Sequence, residues 1–281
     1  MSKTNTVSTQ ADKVKGDRNL YIIKIGGNVI DNSENLHKFL KDFTSLQGHK
    51  ILVHGGGKVA TQLSETLGIE AKLVDGRRIT DIETLRVVTM VYGGLINKNI
   101  VAQLQKNGTN AIGLTGADGD FIRTKKRPVK TIDYGFVGDI DDQSINPENI
   151  SSLMSAGFTP VFCAITHDGD GQLLNTNADT IASALSVALA KLYDITLIYC
   201  FEKKGVLKDI NDESSLINQI DPLRYEELKT EKVIHSGMLP KLDNAFSAIS
   251  SGVKEVIIGH SDDLGNLKHK KTFGTRLSKT L

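Results

Sequence analysis

The sequence has little of what marks several protein classes, beginning with cysteine. Its two cysteines, Cys163 and Cys200, each stand in an apolar run and belong to no metal-binding or redox motif. They predict core thiols in a reducing compartment, without a disulfide framework or a metal site. No apolar run approaches the roughly 18 residues that cross a membrane, and residues 1–19 lack the apolar segment of a signal peptide. We therefore expect a cytoplasmic protein that does not insert into a membrane.

Net charge is also small, since 34 Lys and Arg residues stand against 33 Asp and Glu residues. A nucleic-acid-binding protein usually carries a concentrated basic face, so we expect no nucleic-acid partner. No two of the seven histidines have metal-ligand spacing. No Ser/His/Asp or Cys/His set points to nucleophilic catalysis, so other features of the chain must carry the function.

What the sequence does contain is a regular alternation of short apolar runs and helical patterns. Such runs are typical of buried parallel strands, and the helical patterns between them predict right-handed crossovers. We therefore expect an α/β fold, a three-layer αβα sandwich around an open, mainly parallel central sheet. Residues 20–281 would form this single domain, and residues 1–19 a disordered N-terminal tail. The predicted strands lie near residues 21–25, 51–54, 110–114, 159–165, 195–199 and 255–258.

The sequence also predicts specific features for two of the helices and for one irregular segment. Ser33 is expected to cap the helix that follows the first strand. The pattern of residues 81–105 contains Gly93 and Gly94 but no proline, and its apolar residues spread around much of the helix. A helix of this kind is buried on more than one side, so we expect it to form the interface of a homodimer. Residues 118–140 are expected to form hairpins that project from the main sheet.

Two of the predicted strands end in glycine-rich loops. Lys24, Gly26 and Gly27 close the first strand, and three glycines at residues 55–57 follow the second. A buried lysine is costly unless it meets an anion, and glycines let backbone N–H groups approach a ligand. Parallel strands bring both loops to the edge of the sheet where ligands bind. The alternative is that the Lys24 ammonium group extends past the strand end into solvent.

The second loop partly matches a dinucleotide-binding motif. Gly55, Gly57 and Ala60 fit G-x-G-x-x-A, and Asp75 falls near the spacing of a ribose-binding acid. Asp75, however, begins a dipeptide typical of a hairpin turn. A Walker A loop is excluded because Lys58 is not followed by Ser or Thr. What remains is an anion site at a helix N-terminus. Two adjacent anion sites suit a transferring phosphoryl group better than a nicotinamide.

A third polar group stands where a short strand meets an alanine-rich helix. Asn175, Asn177 and Asp179 lie together there. Helix capping by Asn177 and a favourable charge from Asp179 in the first turn would account for two of them, but not for Asn175. Lys241 lies near the start of a later helix, where a lysine by itself would indicate nothing. His54, the last residue of a buried strand, is interpreted as a packed, hydrogen-bonded histidine rather than a catalytic one.

Together these segments resemble the amino acid kinase family, and within it the acetylglutamate kinase branch. The matching motifs follow the order of the family. They are KIGG (24–27), VHGGG (53–57), DGRRIT (75–80), LLNTNAD (173–179), GMLPK (237–241) and GTRL (274–277). The resemblance implies ATP-dependent phosphorylation of the γ-carboxylate of N-acetyl-L-glutamate, a step of arginine biosynthesis, with Mg²⁺ carried by the nucleotide.

The resemblance also implies roles for individual residues. Lys24 would contact the transferring phosphoryl group, Lys241 would stabilise the nucleotide phosphates, and Asp179 would orient the two lysines. Arg78 would clamp the substrate α-carboxylate, a task that suits a bidentate guanidinium. The acylglutamate would bind in a lobe of about residues 20–170 and the nucleotide in a lobe of about residues 171–281. The implied contacts are Gly56, Gly57, Arg78, Asn175 and Asn177 for the acylglutamate, Lys24, Gly26, Gly27, Glu202, Gly205 and Lys241 for the nucleotide, and the N–H groups around Gly27 and Gly56 for the transferring group.

Some features depart from the family pattern. The loop at residues 200–205 reads as one residue longer, and we interpret Glu202 as the replacement for the family's acid near the nucleotide. The N-terminal tail has few apolar residues, so we expect neither the extra helix of arginine-inhibited members nor arginine feedback. The acyl pocket is expected between residues 76 and 94 and near residues 162–165. Two alternatives stay open: an N-succinylglutamate substrate, and a regulator that binds amino acids or nucleotides without catalysis.

Overall fold

The structure is a computed structural model that describes residues 18–74, 77–231, 233–234, 238–269 and 273–280. Three predictions fall wholly or partly outside these residues: the N-terminal tail up to residue 17, the turn at Asp75 and Gly76, and Gly237 of the GMLPK motif. In the part of the chain that the structure describes, no helix is long and apolar enough to cross a membrane.

The strands alternate with helices along most of the chain. The strands are β1 (Asn19–Ile25), β2 (His49–His54), β3 (Leu73–Val74), β4 (Arg77–Arg78), β5 (Ala111–Leu114), β6 (Lys125–Lys126), β7 (Gly138–Asp139), β8 (Thr159–Cys163), β9 (Ile165–His167), β10 (Leu173–Asn175), β11 (Asp194–Phe201), β12 (Gln219–Ile220), β13 (Glu255–His260) and β14 (Thr275–Ser278).

The helices include one π-helical segment and several short 3₁₀ turns. The α-helices are α1 (Gly27–Ile30), α2 (Ser33–Ser45), α3 (Gly57–Thr66), α4 (Ile82–Val88), α5 (Asn97–Lys106), α6 (Pro147–Ser155), α7 (Ala178–Leu189), α8 (Pro222–Thr230) and α9 (Leu239–Ser250). The π-helix is Thr89–Ile96, and the 3₁₀ segments are Asp118–Asp120, Glu213–Ser215 and Ser261–His269.

Eight strands form one sheet in the order β12-β14-β13-β11-β1-β2-β8-β5. The six neighbouring strands from β13 to β5 run parallel. Strand β14 is antiparallel to β13 and parallel to β12, so the direction reverses at one edge. The prediction of an open, mainly parallel sheet is confirmed.

Both faces of this sheet are covered. In β1, Leu20 and Ile22 are buried on one face and Ile23 and Ile25 on the other, because alternate residues of a strand point to opposite sides. Helices α2 and α5 pack together, whereas α7 packs against β1, β11, α6 and α9. The sandwich of three layers therefore follows from strands that are apolar on both faces.

Within the described ranges, three small antiparallel pairs lie outside the main sheet: β3 with β4, β6 with β7, and β9 with β10. The pair β6–β7 lies within residues 118–140, which confirms the predicted hairpin region. This region contacts the strand before α7, since the Asn175 N–H donates to the Phe136 carbonyl oxygen at 2.9 Å. The hairpin region thus lies against the end of β10, just before α7.

Two helix predictions change in detail. Helix α2 begins at Ser33, but its cap is Asn32, whose side-chain oxygen accepts from the N–H groups of Glu34 and Asn35. The prediction of Ser33 as the cap was wrong because the residue before it already reaches both donors. The helix predicted at residues 81–105 is continuous from Ile82 to Lys106, but its middle, Thr89–Ile96, is π-helical.

Candidate active site

A cavity of about 980 Å³ opens at the carboxyl end of β1. Strand β1 lies between β2, which follows it in the chain, and β11, which comes much later. Such a change of direction in the strand order leaves a crevice at the carboxyl ends of the strands, where ligands of α/β proteins bind. The lining includes many of the predicted site residues: Lys24, Gly26, Gly27, Gly56, Gly57, Arg78, Asn175, Asn177 and Asp179.

Lys24 lies at the floor of this cavity. Its ammonium nitrogen is 2.7 Å from Oδ1 of Asp179, and its side chain is only 12% exposed. The alternative that Lys24 extends into solvent is therefore wrong for this structure. Gly26 caps the short helix α1, which begins at Gly27. The loop after β1 thus turns sharply beside the lysine, with no side chain between its backbone and the cavity.

The second glycine loop is packed tightly from behind. Gly56 has φ of +151°, and a Cβ atom there would overlap Cδ1 of Ile96 and lie 3.0 Å from Cδ1 of Tyr92. Both side chains come from the π-helical segment. Only glycine tolerates this backbone conformation and this close contact. The contact holds the loop in place, so the N–H groups at the start of α3 have a fixed position.

His54 supports this loop from inside the core. It is fully buried, its Nδ1 donates to the Gly55 carbonyl oxygen at 2.8 Å, and its Nε2 accepts from Asn97 Nδ2 at 3.0 Å. A carbonyl oxygen accepts only, so this arrangement requires the neutral ring with its proton on Nδ1. Burial lowers the pKa of His54 to about 4. The prediction of a packed, hydrogen-bonded histidine is confirmed.

Arg78, in β4, reaches across the cavity to the second glycine loop. Its Nη2 donates to the Gly57 carbonyl oxygen at 2.9 Å and to Oγ1 of Thr61 at 2.6 Å. One edge of the guanidinium is therefore engaged with α3, which fixes the direction of the group. The strand pair β3–β4 thus adds a cation to the lining of the cavity that the end of β1 also lines.

The junction between β10 and α7 contributes two amides and a carboxylate. Asn177 caps α7, since its Oδ1 accepts from the Thr180 N–H at 3.0 Å, so helix capping accounts for its oxygen. The Asn175 amide nitrogen donates to Oγ1 of Thr80 at 3.0 Å. Asp179 lies in the first turn of α7 and pairs with Lys24. Helix capping therefore accounts for Asn177, and the ion pair with Lys24 accounts for Asp179.

Lys241 comes from α9 and contacts the ring of Phe201. Its ammonium nitrogen lies 3.8 Å from the centroid of the Phe201 ring, and that of Lys24 lies 5.8 Å from the same centroid. Burial lowers the pKa of Lys241, and the positive charge of Lys24 lowers it further. The negative charges of Asp179 and Glu202 act in the opposite direction. The two lysines predicted to act together therefore converge on one aromatic ring.

A second cavity of about 220 Å³ adjoins this ring. It is lined by Phe201, Glu202, Lys203, Gly205, Met238, Lys241 and Ile258. Gly205 has φ of +157°, and a Cβ there would come within 3.0 Å of Thr275 and Leu216, so its glycine is required by packing. Glu202 and Gly205 thus lie with Lys241, apart from the larger cavity that holds the other predicted residues.

Sequence reasoning missed the part of the lining that comes from residues 127–140. Arg127 forms a bidentate pair with Asp139, in which Nη2 donates to Oδ1 at 2.6 Å and Nε to Oδ2 at 3.2 Å, and both residues line the cavity. Tyr92 of the π-helical segment and Ala164 also line it, within the ranges expected for the acyl pocket. The length of the segment from residue 118 to residue 140 could have indicated this contribution, because long loops in compact domains usually carry function.

Two glycine loops and two lysines at the carboxyl edge of a parallel sheet define a class of protein. It is the class of phosphoryl-transfer enzymes, in which fixed donors and cations position and neutralise the transferring group. The chain belongs to the amino acid kinase family, whose family model matches residues 19–260.

Known proteins resemble this chain over most of its length. It is 60% identical to the acetylglutamate kinase of Cytophaga hutchinsonii, over 92% of this chain and 98% of that protein. It is 56% identical to the acetylglutamate kinase of Phocaeicola vulgatus, over 85% and 92% of the two chains. Among solved structures, smu.665 from Streptococcus mutans UA159 matches with a TM-score of 0.72 at 27% identity, over 92% and 98% of the two chains.

Proposed function

We propose that this protein transfers the γ-phosphoryl group of ATP to the γ-carboxylate of N-acetyl-L-glutamate, as a step of arginine biosynthesis. One carboxylate oxygen would form a bond to the γ-phosphorus while the bond to the bridging oxygen of ADP breaks. The observation that carries this proposal is the position of Lys24, held against Asp179 between two glycine loops and beside Lys241. Relatives that share 56–60% of their residues with this chain are named acetylglutamate kinases.

The chemistry of this reaction fits the side chains present. A γ-carboxylate has a reference pKa of about 4.3 and is ionised at neutral pH, so it needs no general base to attack phosphorus. The enzyme then has two tasks, to hold donor and acceptor in line and to neutralise the developing charge. Lys24, Lys241 and the N–H groups of the glycine loops would supply that neutralisation, and Mg²⁺ would arrive with ATP as part of the substrate.

We further propose that the two substrates divide the site. The acylglutamate would occupy the large cavity, where Arg78 would bind its α-carboxylate, and where Gly56, Gly57, Asn175 and Asn177 would contact its remaining polar groups. ATP would approach over Gly26 and Gly27 and extend toward Glu202, Gly205 and Lys241. This division corresponds to lobes of about residues 20–170 and 171–281, whose facing edges meet at the Lys24–Asp179 pair.

The proposed assembly is a homodimer in the cytoplasm. Along the helix from Ile82 to Lys106, Ile82, Met90 and Leu95 are exposed, and Met90 and Leu95 are each more than half exposed. A second copy packed on this helix would bury them. A protein that sediments as a monomer at micromolar concentration would contradict the dimer. The buried, free thiols of Cys163 and Cys200 agree with a reducing compartment.

One observation favours a second candidate substrate, N-succinyl-L-glutamate. Arg77 and Lys130 also line the large cavity, and neither forms an ion pair with another residue in the ranges that the structure describes. These cations would bind a second carboxylate at the end of the acyl group better than they would bind a methyl group. The two candidates differ in the acyl group alone, so one assay separates them.

The decisive experiment traps the acyl phosphate with hydroxylamine in the presence of ATP and Mg²⁺. N-acetyl-, N-succinyl- and free L-glutamate would be compared for kcat/KM, with Lys38→Ala as a control variant from the outer surface of α2. We expect turnover of at least one N-acylglutamate, and a ratio of the two acyl substrates that identifies the better one. Absence of turnover with all three would overturn the proposal and favour a binding protein without catalysis.

A further inference from the structure

The π-helical segment Thr89–Ile96 carries a tyrosine, Tyr92, to which the proposed reaction has so far given no role. Tyr92 is 5% exposed and lines the large cavity. Its ring lies against Gly56, with Cδ1 and Cε1 at 3.0 and 3.2 Å from the position of a Cβ there. Segments of π-helix are often found at functional sites, where one wider turn re-aims a side chain. Here the segment directs Tyr92 onto the second glycine loop.

The Tyr92 hydroxyl and Arg78 meet at Gly57. The hydroxyl lies 4.0 Å from the position of a Cβ at Gly57, and Nη2 of Arg78 donates to the Gly57 carbonyl oxygen at 2.9 Å. Burial raises the pKa of Tyr92, and the charge of the neighbouring Arg78 guanidinium opposes that rise. The hydroxyl therefore keeps its proton at neutral pH. An arginine has no acceptor, so Tyr92 cannot donate this proton to Arg78 and can only receive a hydrogen bond from it. The proton is left for another acceptor in the cavity.

Arg78 shows the complementary feature. Its Nη2 is engaged by Gly57 and Thr61, whereas its Nη1 is buried and has no well-aligned hydrogen-bond partner among the described residues. A buried guanidinium nitrogen without a partner is costly, and a carboxylate oxygen would satisfy it. The same carboxylate would accept the proton of the Tyr92 hydroxyl.

We infer that Tyr92 is a substrate-binding residue, whose hydroxyl donates to the carboxylate that Arg78 binds. This inference rests on the proposed function, in which that carboxylate is the α-carboxylate of an N-acylglutamate. Two donors on one carboxylate fix its orientation as well as its position, so they direct the γ-carboxylate toward the phosphate loops. Tyr92 is thus a specificity determinant against acceptors that lack an α-carboxylate.

The test uses Tyr92→Phe, which removes the hydroxyl and keeps the ring against Gly56. We expect KM for the preferred N-acylglutamate to rise about tenfold, as for one lost hydrogen bond to a charged group, with kcat and KM for ATP within about twofold of wild type. The matched control is Tyr193→Phe. Tyr193 is also 5% exposed, and its hydroxyl contacts Oγ of Ser151 at 2.8 Å, at the amino end of β11 and far from the cavity.

A second measurement separates carboxylate binding from a structural effect. N-acetyl-γ-aminobutyrate is N-acetylglutamate without its α-carboxylate, and its inhibition constant against the N-acylglutamate would be measured for wild type and Tyr92→Phe. We expect the two constants to agree within about twofold, because the lost hydroxyl has no carboxylate to bind. An equal loss for substrate and analogue, or an unchanged KM in Tyr92→Phe, would overturn the inference alone. A wild-type protein that turns over no N-acylglutamate would overturn the proposed function and this inference with it.

Discussion

The ammonium nitrogen of Lys24 lies 2.7 Å from Oδ1 of Asp179, and this ion pair joins the end of β1 to the first turn of α7. The lysine is the more buried partner, with 12% of its side chain exposed against 38% for the aspartate. A buried cation needs a nearby anion, and Asp179 supplies it while leaving the lysine beside both glycine loops. The pair therefore fixes a positive charge at the junction of the two proposed substrate sites.

Replacing the acid tests this role directly. In Asp179→Asn the amide no longer balances the charge of Lys24, and we expect kcat to fall by about 10- to 100-fold, corresponding to roughly 1.5–3 kcal/mol for a hydrogen bond to a charged group. The KM for the acylglutamate should change little. Steady-state kinetics with Asp194→Asn as control check this, because Asp194 pairs with Arg18 at the amino end of β11, away from the cavity at the carboxyl ends of the strands. A variant with wild-type kcat would show that Lys24 needs no orienting acid.

Lys24 and Arg78 should separate kinetically. Lys24→Ala removes a charge that would act on the transferring group, so we expect kcat to fall about 100- to 1000-fold, by analogy with loss of an oxyanion donor. Arg78→Ala removes binding to a group remote from the reaction, so KM for the acylglutamate should rise about 10- to 100-fold. Arg86→Ala, which breaks an exposed i,i+3 pair with Glu83, serves as control. If Lys24→Ala kept its kcat, the role given to this lysine would be wrong.

Gly56 should tolerate no side chain. Gly56→Ala places a Cβ in a backbone region of φ +151° and against Ile96 and Tyr92, so we expect a loss of about 1–3 kcal/mol in the free energy of unfolding. Chemical denaturation measures this loss. Gly157→Ala is the control, because Gly157 also has a left-handed backbone, with φ of +87°, but a Cβ there meets no heavy atom within 4 Å. Equal stability of both variants would contradict the tight packing behind this loop.

Acid should destabilise the fold through His54. Its folded pKa of about 4 lies below the usual value of 6.5 for an unfolded histidine, so the unfolded chain binds more protons between these pH values. The stabilisation by neutral His54 is therefore complete above pH 6.5 and lost as the pH falls toward 4. The difference amounts to about 3 kcal/mol, since one pKa unit corresponds to about 1.4 kcal/mol.

Unfolding titrations at pH 7 and pH 4.5 check this expectation. In His54→Gln the free energy of unfolding should fall by up to about 3 kcal/mol less between pH 7 and pH 4.5 than it does in the wild type. In His37→Gln, a change on the partly exposed side of α2, the fall should equal that of the wild type. A wild type and a His54→Gln variant with the same pH dependence would show that this histidine is not held neutral by the core.

Local patterns were sufficient to predict much of the fold and part of the site. The runs that became β1 and β2 are apolar on both faces, which is the mark of a buried parallel strand, and their glycines mark the loops that follow. The burial of His54 followed from its place at the end of such a run. The roles given to the individual site residues are predictions, which the variants described above test.

Other features were not resolved by local patterns. Residue preference did not separate Asn32 from Ser33 as the cap of α2, because Asn and Ser cap helices about equally well and the two positions are adjacent. The π-helical turn at Thr89–Ile96 keeps the same apolar composition as an α-helix, so hydrophobic periodicity did not reveal it. The contribution of residues 127–140 to the cavity depends on where a hairpin folds back, and no residue type reports that.

The sequence by itself determined that two glycine loops and a lysine meet at one edge of a parallel sheet, because strand pattern and residue type are properties of short segments. Only the tertiary structure decided what faces them: Asp179 against Lys24, Phe201 close to both lysines, and Tyr92 with Arg78 at Gly57. These pairs come from segments far apart in the chain. Their meeting depends on the order of strands in the sheet and on helix packing, which no short segment specifies.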